Sequence, residues 1–199
     1  MLKIKNVLER GDSVRSMTFT EKEQEFVQPL QLITNKPVLY VCNVDEAAAK
    51  DGNAYVEKVK AAVANEAAEV IILGTEADIT ELETYEERLL FLEDLGLEEA
   101  GASKLIRAAY KLLNLQTYFT AGVKEVRAWT INIGDTAPQA AGVIHTDFEK
   151  GFIRAEVMKY DDFVHYGSEA KVKEAGKLSV EGKEYVVADG DVMHFRFNV

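Results

Sequence analysis

One cysteine, three prolines and one tryptophan in 199 residues set the first limits. A lone thiol, Cys42, cannot build an internal disulfide framework and fits a reducing, cytoplasmic setting, and the opening Met1-Leu2-Lys3-Ile4-Lys5 has no apolar signal core. No hydrophobic run approaches the roughly 20 residues that cross a bilayer, so no membrane partner is expected. No Gly-x-x-x-x-Gly-Lys-Ser/Thr occurs, which removes the amide nest, the phosphate lysine and the Mg²⁺ hydroxyl of a phosphate-binding loop. No Gly-x-Ser-x-Gly elbow accompanies His145, His165 and His194, and no Cys/His spacing suggests zinc; the histidines read as structural, and neither a catalytic residue nor a metal ligand is assigned. Positive charge is scarce as well: 23 bases face 34 acids, a net charge of −11. That balance repels polyanions, so DNA and broad nonspecific nucleic-acid binding are not expected, although locally clustered bases are still allowed.

An apolar content of 47% is ordinary for a chain that buries a core, and the length suits one generous domain or two small ones. Ten acids with only Arg88 among them lie between Glu76 and Glu99, which reads as a solvated helical face. Helical spacing covers Ile4 to Arg10 and Thr20 to Leu32, the second opened by a Thr20/Glu23 capping box. Pro37 then opens the apolar run Val38-Leu39-Tyr40-Val41-Cys42, which predicts a strand buried on both faces of a parallel sheet, with Cys42 as an inert buried side chain. A helix over Asn53 to Ala68 and a second buried strand over Val70 to Leu73 complete a β-α-β unit. Further helices are expected from a Thr80/Glu83 capping box to Gly96 and from Ala102 to Leu113.

After about Leu115 the texture changes to short strands, aromatics and glycines, so a second module begins near Asn114 to Thr117. Strands are expected over Val126 to Ile133, Phe152 to Tyr160, Lys177 to Val180, Tyr185 to Val187 and Asp191 to Val199, with a short helix over Gln139 to His145. These predict a small mixed sheet packed on a helix, with Met193, Phe195, Phe197 and Val199 sharing a face.

The tetrapeptide Asn43-Val44-Asp45-Glu46 follows the first buried strand directly, where open α/β sheets bind ligands. GTPases read guanine with an Asn-Lys-x-Asp loop. Here Glu46 is one methylene longer than that Asp, and Val44 stands where a lysine stem would cover the base, so guanine preference should be lost and adenine becomes a plausible ligand alongside guanine. From spacing alone Asn43 also reads as a turn cap after a strand. Asn35-Lys36-Pro37-Val38 is a decoy, because it precedes the strand and ends in Val38. Trp129 and Phe152 are aromatic enough to stack on bases, yet they stand at alternating strand positions that favour the core.

Taken with the runs Thr117 to Trp129, Ala140 to Val157 and Asp189 to Phe197, the Asn43 to Glu46 loop makes the chain resemble the Obg-like ATPase (YchF) family. The resemblance implies that residues 1–35 end a helical hairpin domain, residues 36–114 form the C-terminal part of a P-loop G domain, and residues 115–199 form a TGS domain, a ubiquitin-like β-grasp module. It implies an ATP-preferring base site at Asn43, Val44 through its backbone, and Glu46, with Leu73-Gly74 as the second base loop, where Gly74 should loosen the contact. The family's P-loop precedes the stretch matched here, so Mg²⁺ and hydrolysis are expected of a longer protein and not of this chain alone. Ribosome association is implied too, with Lys124, Arg127, Lys150, Arg154, Lys171, Lys173 and Lys177 as candidate RNA-facing bases. Two alternatives accompany this reading: an autonomous TGS-type RNA, ribosome or protein binding module, and a dimer formed through an exposed sheet edge.

Overall fold

The computed structural model describes residues 2–66, 68–122 and 125–198. Lys124 and Val199, named above, lie outside them. The chain divides into two compact units, Met1–Leu113 and Asn114–Val199, with the boundary beside the expected one.

In the first unit, α1 (Leu2–Glu9) and α2 (Glu21–Val27) pack through Ile4, Val14 and Val27. Glu23 Oε2 accepts from the Thr20 amide at 3.0 Å and Thr20 Oγ1 accepts from the Glu23 amide at 3.3 Å, the reciprocal box expected from the sequence. The helix stops at Val27 and not at Leu32, because Pro29 has no amide to continue the ladder and Gln31 adopts a left-handed φ of 46°. β1 (Val38–Asn43) and β2 (Ala68–Leu73) then pair in parallel across α3 (Ala54–Ala62), whose N-terminus is capped by Asn53 Oδ1. Arg15 Nη1 and the Tyr40 hydroxyl both donate to Glu66 Oε2 at 3.0 Å, tying β1 to the segments on either side of it.

Neither strand is buried on both faces. The described sheet of this unit has two strands, so each keeps an outer edge, and Val41 is 43% exposed while Cys42 is half-buried. The expected helix from Thr80 divides into α4 (Glu76–Glu81) and α5 (Tyr85–Asp94). The capping box forms at Thr84 and Glu87, and Thr80 instead donates to the Ala77 carbonyl within α4. Gly96, at φ 63°, follows α5, and α6 (Gly101–Leu112) ends the unit.

The second unit runs β3 (Leu115–Ala121), β4 (Val126–Asn132), α7 (Ala137–Ile144), α8 (Thr146–Lys150), β5 (Phe152–Met158), α9 (Tyr160–Tyr166), α10 (Glu169–Glu174), β6 (Ser179–Glu181) and β7 (Val192–Phe197). The sheet order is β4-β3-β7-β5-β6, with β3 and β7 parallel and every other pair antiparallel. A central parallel pair made from the first and last strands, with a helix across one face, is a β-grasp arrangement. The helix is α7, whose Ala137, Ala140 and Ala141 are small enough to sit close on Tyr118, Ile131, Phe152 and Phe195. Tyr185 to Val187 is not a strand; it makes an isolated bridge from Val186 to Thr136. β3 was not foreseen, and neither were α8, α9 and α10.

Asp191 is completely buried and accepts from Lys159 Nζ at 2.6 Å, the Tyr185 hydroxyl at 2.6 Å and the Ala188 amide at 2.9 Å. The Asp191 hydrogen bond keeps the Lys159 ammonium charged to higher pH, burial together with Asp191 raises the Tyr185 phenol, and burial raises Tyr118. In each case the folded state holds its proton above the unfolded value. Stability from all three is therefore complete below about pH 10 and is lost as pH rises further. Urea unfolding of the whole chain should show the second unit weakening between pH 9 and pH 11. Asp191→Ala should cost about 3 kcal/mol at neutral pH, the low end for breaking a buried pair because the Lys159 end reaches water. A flat profile, or an unchanged midpoint in the variant, would contradict this.

Candidate functional site

The parallel register places Asn43 opposite Leu73, so the loops that follow β1 and β2 leave the sheet side by side at its carboxyl edge. The Val44 amide donates to the Leu73 carbonyl at 2.8 Å and joins the loops one residue beyond the strands. Asp45 Oδ1 accepts from the Ala48 amide at 3.2 Å and caps the short turn Glu46–Ala48. With Asp45 occupied as a cap, Asn43 and Glu46 are left exposed at the loop surface, and neither side chain makes a hydrogen bond or ion pair among the described residues. Asn43 is thus not the turn cap that spacing alone allowed; Asp45 is.

The sequence reading missed two features here. The Val44 amide is already committed to Leu73, so any backbone contact from Val44 to a ligand has to come from its carbonyl. Gly74 does not loosen the second loop: a Cβ there would lie 2.9 Å from the Ala49 Cβ and 3.2 Å from the Val44 carbonyl oxygen, so the missing side chain is what lets the loops close on each other. Thr75 follows in a left-handed conformation, φ 69°, uncommon for a β-branched residue, and is buried with its hydroxyl on the Gly74 carbonyl. On the ledge where the loops meet, Asn43 and Glu46 are exposed, Val44 and Leu73 are half-buried and Gly74 is buried. Larger clefts of the first unit, each about 730 Å³, are lined by Met17, Phe19 and Leu32 or by Leu89, Leu92 and Leu97, and not by loop residues.

The candidate RNA-facing bases are dispersed over the second unit. Arg127 lies on β4 with its guanidinium 4.1 Å from the Trp129 ring centroid, and Trp129 Nε1 donates to Thr120 Oγ1 at 2.9 Å. Arg154 lies on β5, opposite Arg196 of β7. Trp129 and Ala155 pack into the α7-facing core, so strand alternation puts Arg127 and Arg154 on opposite faces of the sheet. Lys150 ends α8, Lys171 and Lys173 occupy the last turn of α10, and Lys177 Nζ is 4.0 Å from Asp162. Phe152 is buried in the core and offers no stacking surface.

A parallel α/β unit with paired loops at its carboxyl edge, followed by a mixed sheet packed on a helix, defines a two-unit α/β chain. Residues 115–198 match the family profile YchF-GTPase_C, described as a protein of unknown function (DUF933). The chain is similar to the ribosome-binding ATPase YchF of Pasteurella multocida, 54% identical over 201 residues, covering 100% of this chain and 55% of that protein. The same protein of Bacillus subtilis is also 54% identical, over 99% of this chain and 55% of its own length. Among solved structures, the YchF GTPase of Schizosaccharomyces pombe matches with a TM-score of 0.82 at 37% identity, over 98% of this chain and 53% of that one. The chain belongs to the YchF family and spans about half the length of the relatives it matches.

The Gly74 contact yields a test within this chain. Gly74→Ala should force the two loops apart and destabilise the first unit by about 1–2 kcal/mol. Amide exchange at Val44 should quicken by about tenfold or more, since 1.4 kcal/mol is tenfold in an opening equilibrium. Unchanged protection of that amide would show that the loops are not held together as described.

Proposed function

We propose that the ledge formed by Asn43, Val44, Glu46, Leu73 and Gly74 is the base-reading part of an ATP-preferring nucleotide site, and that this chain supplies it to a P-loop NTPase. The observation that carries the reading is the pairing of the two loops, which leaves Asn43 and Glu46 of the first loop uncommitted and exposed next to the second. Adenine offers a donor amine beside N7 where guanine offers a carbonyl, so carboxylate and amide oxygens at the ledge favour adenine and repel guanine O6. The chain carries no phosphate-binding motif, so phosphate and Mg²⁺ contacts belong to residues outside it, and it is not expected to hydrolyse ATP alone. The relatives' names, ribosome-binding ATPase and GTPase, agree with a nucleotide site and suggest ribosomal RNA as a cytoplasmic partner.

In this reading the helical segment 1–35 ends a hairpin domain, residues 36–114 close a G domain, and residues 115–199 are a TGS domain. Lys150, Arg154, Lys171 and Lys173, which make no ion pair among the described residues, are its better RNA candidates; Arg127 and Lys177 each face an acid within 4.0 Å. The outer edges of β1 and β2 also suit pairing with a second copy, giving a dimer as the other occupant of that surface. In a protein carrying this chain together with a P-loop segment, ATP turnover should exceed GTP turnover. Glu46→Asp with Val44→Lys should shift the ratio of kcat/KM toward GTP by about tenfold or more, the scale of one lost or gained base contact. An intact protein that prefers GTP, or a ratio unmoved by the double substitution, would refute the assignment.

A further inference from the structure

The β5–β7 register sets Glu156 directly opposite His194. Their strand neighbours Ala155, Val157, Met193 and Phe195 fill the core beneath α7, so Glu156 and His194 stand on the other face of the sheet. Glu169, the first residue of α10, reaches the same place, with its Oε2 3.8 Å from His194 Nδ1. One donor atom from each of the three side chains lies within 4.8 Å of the other two. Three separate elements thus aim an imidazole and two carboxylates at one point.

Glu156 is the most enclosed of the three, 14% exposed, against 37% for Glu169 and 46% for His194. Arg196 donates to Glu156 Oε2 at 2.9 Å, which orients the carboxylate and leaves Oε1 without a hydrogen bond among the described residues. A fixed, ionised ligand held by a neighbouring donor is what an inner carboxylate of a metal site requires.

We propose that Glu156, Glu169 and His194 bind one divalent first-row transition ion, with Zn²⁺ the best fit. The donor set decides the class: Mg²⁺ and Ca²⁺ take oxygen ligands, whereas a mixed imidazole and carboxylate set suits zinc and its neighbours. Zinc bonds of about 2.0–2.2 Å need the ligand atoms closer together than 4.8 Å. Glu169 supplies the adjustment, because it begins a six-residue helix and is the least constrained of the acids. Three protein ligands leave a fourth position for water or an external donor. The ion would pin α10 to β5 and β7, adding to the contact that Val172 makes with Met158 and Val192. It is a site separate from the base loops and stands whether or not the nucleotide reading does.

The test is calorimetric titration of the chelator-treated full chain with ZnCl₂ and with MgCl₂ at neutral pH, alongside thermal unfolding with and without Zn²⁺. One Zn²⁺ per chain, a raised unfolding temperature and no comparable Mg²⁺ binding are expected. Glu169→Gln, a near-isosteric change at the half-buried first residue of α10 that should not disturb folding, and His194→Ala should each weaken Zn²⁺ at least about tenfold. His145→Ala removes the other exposed histidine that has an acid beside it, Asp147 Oδ2 at 3.4 Å, and should leave Zn²⁺ binding unchanged. The proposal is overturned if no Zn²⁺ binds stoichiometrically, if Glu169→Gln binds it as well as the parent chain, or if His145→Ala carries the loss.

Discussion

The parallel pairing of β1 with β2 is the constraint on which the candidate site depends. Parallel strands need a crossover, here α3, and the crossover returns the chain so that both strands end at the same edge. Asn43 and Leu73, 30 positions apart in the sequence, become neighbours through that register, and the Val44 amide on the Leu73 carbonyl carries the pairing into the loops. A slip of one residue would turn every side chain of β1 to the other face and carry Asn43 away from the second loop. Gly74 completes the constraint, since any side chain there meets Ala49 and the Val44 carbonyl.

The second unit is organised around a different kind of interaction. Its central strands β3 and β7 come from opposite ends of the module, and long-range polar contacts fasten them. Asp189 Oδ1 accepts from the Thr117 amide at 2.9 Å, Gln116 Nε2 donates to the Val187 carbonyl at 2.8 Å, and Asp191 gathers Lys159, Tyr185 and Ala188. A buried carboxylate with three donors is stable only while all three are present, which makes this corner a specific closure and not a generic hydrophobic one. At the other end Gly151 allows the chain to pass Asn198 so closely that a Cβ would collide with its carbonyl oxygen. The closures at both ends fix β7, and with it the face that carries His194 and Arg196.

Local signals in the sequence were enough for the β-α-β unit, the Thr20 cap, the glycine after α5 and the boundary near residue 114, because each is written within a few consecutive residues. The strand β3 was not legible because Gln116, Thr117 and Thr120 interrupt its apolar pattern; β4 pairs with it from the next strand, but the contacts that place it beside β7 come from about 70 positions downstream. The capping box went to Thr84 and not Thr80 since α4 and α5 divide at Leu82, whose extended backbone (ψ 127°) no single-residue propensity announces. At the site, the residue types Asn43 and Glu46 were legible, whereas the committed Val44 amide and the close packing at Gly74 depend on a second strand and could not be read from the loop alone. The same holds for Glu156, Glu169 and His194, which have no common motif spacing and meet only through cross-strand register and the placement of α10.

The proposed base site requires the two loops to form one surface that reads adenine. It is tested most directly by titrating isotope-labelled chain with ATP and with GTP at millimolar concentrations and following the backbone amides by NMR. Shifts at Asn43, Glu46 and Gly74 that saturate with ATP and are much weaker with GTP are expected, with the second unit unmoved. Equal responses to both nucleotides at these amides, or ATP shifts confined to residues outside the two loops, would contradict it.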